Sequence, residues 1–89
     1  MVRDIYSVTS QGAFARDYDL TRQIRRAAIS IASNIAEGVE RYGSNELAHF
    51  LSIAKGSSSE IRAQLYLALD LAYIDKPTFD RLFEQCNEV

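Results

Sequence analysis

Apolar side chains recur along this chain at steps of three and four residues, the spacing of one face of an α-helix. The pattern is clearest from Leu20 to Gly38, where Leu20, Ile24, Ala27, Ile31, Ile35 and Gly38 share one side. It predicts a long second helix from about Leu20 to Arg41, about 33 Å at the usual rise per residue. The opposite side is unusual, because Ile29 sits there among Arg22, Arg26 and Ser33. A helix with a core face and a second, partly apolar face predicts packing partners on both sides. The outer surface formed by Ile29, Ala32, Ser33 and Ala36 is therefore the expected interface for self-association.

Before this helix, Val2, Ile5, Tyr6 and Thr9 follow a helical step, so residues 2–11 read as a short first helix ended by Gly12. Residues 13–19 read as a connection, pinned to the core by Phe14 and Tyr18, in which Asp17 or Asp19 caps the second helix. Tyr42, Gly43 and Ser44 form the next turn, with Ser44 as N-cap. The third helix is expected from Asn45 to Tyr73. Its core stripe runs through Leu47, Phe50, Leu51, Ala54, Ser58, Ile61, Leu65, Ala68, Leu69 and Ala72. Pro77 disfavours helix before it and suits the first turn of a new one. A fourth helix from Lys76 to Glu88 then turns Phe79, Leu82, Phe83 and Cys86 inward. The expected fold is all-α: an antiparallel up-and-down four-helix bundle, one domain over residues 1–89, with shortened first and last helices.

Pairing the two long helices about Gly43 places residues whose numbers sum to about 86 side by side, as in any helical hairpin. Gly56 to Ser59 then face Ala27 to Ile31, small residues against small residues. Close packing there is the expected compensation for a helix-interior glycine, which costs about 1 kcal/mol on propensity. The same register brings Glu60 towards Arg25 and Arg26, and Glu37 towards His49. The hairpin end, from about Gly38 to Glu46, overhangs the shorter outer helices. Either another subunit covers it or the outer helices are truncated or disordered there.

Composition narrows the chemistry. A single proline and four glycines in 89 residues suit long helices, and the net charge of −2 confines any nucleic-acid contact to a local basic patch. The lone Cys86 excludes an intramolecular disulfide and a cysteine zinc site, and suits a reducing compartment. The opening residues carry Arg3 and Asp4 where a signal peptide would be apolar. The apolar runs fall short of the roughly 20 residues of a membrane span. A cytoplasmic protein with no membrane contact is expected.

No catalytic constellation, metal site or cofactor motif stands out, and an enzyme is not expected. His49 is the only histidine, and Cys86 reads as a small buried hydrophobe. The Gly56-Ser57-Ser58-Ser59 run lacks the lysine and the strand-to-helix setting of a phosphate loop. Glu37, Glu40 and Glu46 read as solvated carboxylates at a turn. Asn34, near the core face, is expected to bond to Ser30 or to a neighbouring helix end. The best polar lead is Arg22, Arg25 and Arg26, at i, i+3 and i+4, extended by Arg16 and partly offset by Asp17 and Asp19. Such a patch holds phosphates of RNA or DNA. The alternative is that it pairs with Glu60 or with a neighbouring subunit's carboxylates, and on sequence alone ion pairing stands slightly ahead. Few aromatics interleave with the arginines, so sequence-specific single-strand reading is not indicated.

The run Gln23 to Gly38, QIRRAAISIASNIAEG, strongly resembles the bacterial four-helix-bundle family first noted in intervening sequences of 23S ribosomal RNA genes. The stretch Glu46 to Ser57 and the segment from Gln64 to Ile74 fit the same pattern, so the resemblance covers nearly the whole chain. It implies a four-helix bundle assembled with itself as a ring-shaped homopentamer, with no enzymatic activity. It also implies a relation to the accessory protein of diversity-generating retroelements, a nucleic-acid-binding partner of a reverse transcriptase. The family's basic residues correspond here to Arg25 and Arg26, with Arg22 adding charge nearby. Two departures stand out: Ala32 where many members carry proline, and shorter first and last helices.

Overall fold

A computed structural model describes residues 1–88, which form five α-helices and no strand. They are α1 (Val2–Thr9), α2 (Gly12–Arg16), α3 (Tyr18–Glu40), α4 (Leu47–Asp70) and α5 (Lys76–Asn87). Helices α1, α3, α4 and α5 make the expected up-and-down bundle, elongated to 43 × 21 × 17 Å. The fifth helix, α2, is a single turn inside the expected connection. Val89, the last residue of the expected domain, lies outside the described residues.

Local chemistry sets these boundaries. The Asp17 carboxylate accepts from the Leu20 N–H at 3.1 Å and starts α3, and Asp75 does the same for the Thr78 N–H at 2.9 Å in α5. Pro77 lies in the first turn of α5, where its missing N–H costs nothing. The first helix stops two residues early, at Thr9. There the Thr9 hydroxyl donates to the Ile5 carbonyl and the Ser10 hydroxyl to the Tyr6 carbonyl, both at 2.7 Å, competing with the main-chain ladder. Gly12, at φ +55°, opens α2 instead of closing α1. That turn buries Phe14 completely, with its ring 5.4 Å from Tyr73.

The third long segment begins at Leu47, not Asn45. Ser44 donates to the Arg41 carbonyl at 2.6 Å and accepts from the Glu46 N–H at 3.2 Å, so it closes the turn without capping α4. At the other end the Tyr73 N–H reaches the Ala68 carbonyl and the Ala72 N–H the Leu69 carbonyl, the paired bonds of a Schellman stop. Ala72 takes the left-handed conformation at φ 61° and is exposed. It belongs to the stop signal and not to the core stripe.

The core is built on Ile5, Phe14, Ile24, Ile61, Leu65 and Leu82, with Ala28 and Ala68 letting the helices approach. The hairpin register is as expected: Ser57 donates to Ser30 at 2.8 Å, and Gly38 packs on Leu47 and Phe50. Gly56 departs from expectation. No atom would meet a Cβ there within 4 Å, whereas one on Gly38 would lie 3.2 Å from the Leu47 Cδ1 atom. The glycine required by close packing is Gly38. Helix α5 is tied down by Ser58 donating to the Cys86 carbonyl at 2.8 Å and by Gln85 donating to Asp4 at 2.7 Å.

Ile35 and Leu51, both in the expected core stripes, stay partly exposed. Ile35 borders a groove with Met1 and Val2 at the start of α1 and Glu88 at the end of α5. Beyond it the bundle thins to α3 and α4 alone. Val39 and Tyr42, further along, are 66% and 85% exposed. This is the overhang that the short outer helices predict. No helix among the described residues is long and apolar enough to cross a membrane.

Candidate nucleic-acid interface

The polar face of α3 starts at its cap. Tyr18, Arg22, Arg25 and Arg26 follow at i, i+4, i+7 and i+8, which places them along one side of the first turns. Together with Tyr6, Thr21 and Ile29 they wall a groove of about 560 Å³. A second groove, about 670 Å³, is walled by Ala13, Arg16, Asp17, Asp19 and Tyr73, and shares Tyr18 and Arg22 with the first. The two grooves meet along a Tyr18–Arg22 ridge.

The three arginines differ in what they already hold. Arg25 donates from Nε to Thr9 Oγ1 at 2.8 Å and from Nη2 to Ser10 Oγ at 3.0 Å, and its guanidinium lies 4.4 Å from the Tyr6 ring centre. It pins α1 to α3. Arg22 has only Asp19 nearby, at 3.9 Å, and both side chains are well exposed. Such a pair is weak. Arg26 is exposed and forms no ion pair among the described residues. The expected pairing of Glu60 with Arg25 or Arg26 is absent among those residues. Arg25 turns instead to the hydroxyls of Thr9 and Ser10 at the end of α1, and Glu60 only borders a groove shared with Arg26.

Acidic groups around the ridge are partly occupied. Asp17 serves as the α3 cap and also accepts from the Tyr73 hydroxyl at 2.9 Å. That bond, followed by burial, raises the Tyr73 pKa and keeps its hydroxyl protonated. Asp19, held only by its long contact with Arg22, is the more exposed carboxylate beside the groove.

Sequence reasoning missed both aromatic walls of this groove. Tyr18 was expected to pin the connection to the core; Phe14 and Tyr73 do that, and Tyr18 is 74% exposed. Its signal was the four-residue step to Arg22. Tyr6 reads in sequence only as one step of the first helix's pattern, and its ring meets Arg25 at the surface.

The other expected residues separate from this face. Ile29, Ala32, Ser33 and Ala36 are all exposed along α3, with Ile29 at the edge of the arginine groove and Ala32 beside the start of α1. Asn34 donates to the Ser30 carbonyl at 2.8 Å, the local bond expected of it. Glu37 pairs with Arg41, not with His49. Arg41 also holds Glu46 at 2.6 Å, and Glu46, then Glu37, raise its pKa. These carboxylates brace the turn. Cys86 is buried, and burial pushes its thiol pKa up. No group of three or more metal-binding side chains gathers among the described residues.

Fold and surface together define an all-helical bundle protein carrying an arginine-and-tyrosine face on α3, one of its two long central helices. The family model for the 23S rRNA-intervening sequence protein matches residues 1–89, and the chain belongs to that family. No individually curated protein matches its sequence.

Proposed function

We propose that the chain is a non-enzymatic, self-associating cytoplasmic protein that holds the phosphate backbone of RNA or DNA on Arg22 and Arg26. The observation that carries this reading is the free state of Arg26, beside Arg22 with only a long, solvent-exposed partner. An unpaired guanidinium and a weakly paired one, one helical turn apart, match successive phosphates. Arg25 supports them from the groove wall while its Nε and Nη2 secure α1. A family named for an intervening sequence of 23S rRNA is compatible with an RNA ligand.

Titration against structured RNA and duplex DNA at low and moderate salt tests the reading. Binding should weaken steeply with salt through counterion release, and Arg22→Glu with Arg26→Glu should abolish it. Absence of binding at low salt would overturn the proposal.

Self-association is supported by the exposed Ile29 and by the overhang at Val39 and Tyr42. The family resemblance supports a homopentamer, and the outer face of α3 at Ile29, Ala32, Ser33 and Ala36 is its proposed interface. A clean monomer mass by light scattering at micromolar concentration would refute it. A second reading makes the chain a protein-interaction module whose free arginines pair with a neighbouring subunit's carboxylates. The net negative charge favours that reading. It fails if Arg26→Glu leaves the assembly intact and removes nucleic-acid binding. The likeness to retroelement accessory proteins adds a reverse transcriptase as a partner, to be tested by co-purification with an encoded neighbour of that class.

A further inference from the structure

We infer that the preferred ligand of the arginine face is single-stranded, with an unpaired base stacked on Tyr18 and its flanking phosphates held by Arg22 and Arg26. This rests on the nucleic-acid reading above and narrows it.

Tyrosines with partners are common in this molecule. Tyr6 lies under Arg25, Tyr66 packs on Phe79 and Phe83, and Tyr73 packs on Phe14 and bonds to Asp17. Tyr18 has no hydrogen bond, ring contact or cation over its face among the described residues. Tyr42 is similarly open, but its neighbour Arg41 is neutralised by Glu37 and Glu46. Among the described residues, Tyr18 is the open aromatic face that adjoins a weakly paired cation, Arg22, and an unpaired one, Arg26.

The position of the ring decides which nucleic acid it suits. Tyr18 and Arg22 wall both grooves, so a strand passing from the Arg26 side to the Arg16 side crosses the Tyr18 ring. A flexible single strand can turn a base onto that ring while its phosphates follow the arginines. In a duplex the base faces are already stacked on one another. A duplex therefore meets Tyr18 only with its backbone and gains from the arginines alone. Asp19, exposed beside the ridge, opposes phosphates of either ligand.

The test is fluorescence anisotropy at low salt with a labelled oligothymidylate of about ten nucleotides, within the usual length of single-strand sites. An abasic strand of equal length and a matched duplex are the controls. The oligothymidylate is expected to bind about tenfold more tightly than either control, the scale of one stacked base. Tyr18→Ala should remove that advantage without changing duplex affinity, and Tyr18→Phe should keep it. Asp19→Asn should tighten all three. Equal binding of oligothymidylate and abasic strand, or unchanged preference in Tyr18→Ala, overturns the inference. If those strands still lose binding in Arg26→Glu, the phosphate reading survives its fall. If no strand binds, both readings fall together.

Discussion

The guanidinium of Arg25 lies 4.4 Å from the centre of the Tyr6 ring and donates to a threonine hydroxyl that is itself buried. A residue that reads in sequence as part of a binding patch is thus the main polar link between α1 and α3. Arg25→Ala removes two charge-assisted bonds and the ring contact, and leaves Thr9 Oγ1 without its donor. A loss of about 2 kcal/mol is expected, a fall in Tm on the order of 10 °C for a chain this size. Arg26→Ala, which breaks no contact of this kind, should stay within about 0.5 kcal/mol. Thermal unfolding of the two variants separates the structural arginine from the binding one, and equal losses would contradict the division.

The two glycines of the helical hairpin should respond in opposite ways to enlargement. A methyl group on Gly56 meets nothing within 4 Å. Gly56→Ala should therefore recover most of the propensity difference, about 1 kcal/mol. At Gly38 the new methyl would lie 3.2 Å from Leu47 and 3.6 Å from Phe50, so Leu47 must shift to admit it. Gly38→Ala should gain clearly less than Gly56→Ala, and Gly38→Val should destabilise by overpacking. Denaturant midpoints measured side by side decide the order.

The architecture was legible because its signals are periodic and local. Asp17 or Asp19 offers a cap to the second helix and Pro77 marks the start of the last, and Leu20, Ile24, Ala27 and Ile31 can share a face only in a helix. The register of α3 against α4 followed from the turn at Gly43, and Ser30 meets Ser57 as that pairing requires. What sequence could not supply was the destination of individual long side chains. Arg25 had carboxylates within plausible reach but found two hydroxyls on α1, whose early end no pattern marks. Tyr18 looked like a core anchor because it is aromatic and lies in a connection. Phe14 on the unexpected α2 took that place, and Tyr18 was left outside. Ile35 was misjudged because periodicity reports a face of a helix, not whether a partner extends far enough to cover it.

Ala72 ends α4 in a conformation that a Cβ atom disfavours. Its φ of 61° is imposed by the paired bonds from Tyr73 and Ala72 back to Ala68 and Leu69. Left-handed backbone costs an alanine about 1–2 kcal/mol, and glycine escapes it. Glycine also gains freedom in the unfolded chain, offsetting about half. Ala72→Gly should stabilise by about 0.5–1 kcal/mol, and a lower Tm would show that the Schellman stop is not held in solution.

Acid sensitivity should centre on the two ends of α5. The bond from Gln85 chiefly lowers the pKa of Asp4, and bonds from Thr78 chiefly lower that of Asp75. A carboxylate whose folded pKa lies below its unfolded value contributes stability fully above the unfolded value, near 3.9 for aspartate. That contribution is lost as the pH falls towards and through the lower folded value. Stability should therefore be insensitive to these groups from neutrality down to about pH 5 and decline below it. Asp75→Asn keeps a cap acceptor but cannot titrate, and Asp4→Asn removes the other titrating partner of α5. The double variant should show a shallower decline of Tm between about pH 5 and pH 3 than the parent. Equal slopes would mean that the acid transition is set elsewhere, and that the contacts of α5 with Asp4 and Asp75 contribute little to it.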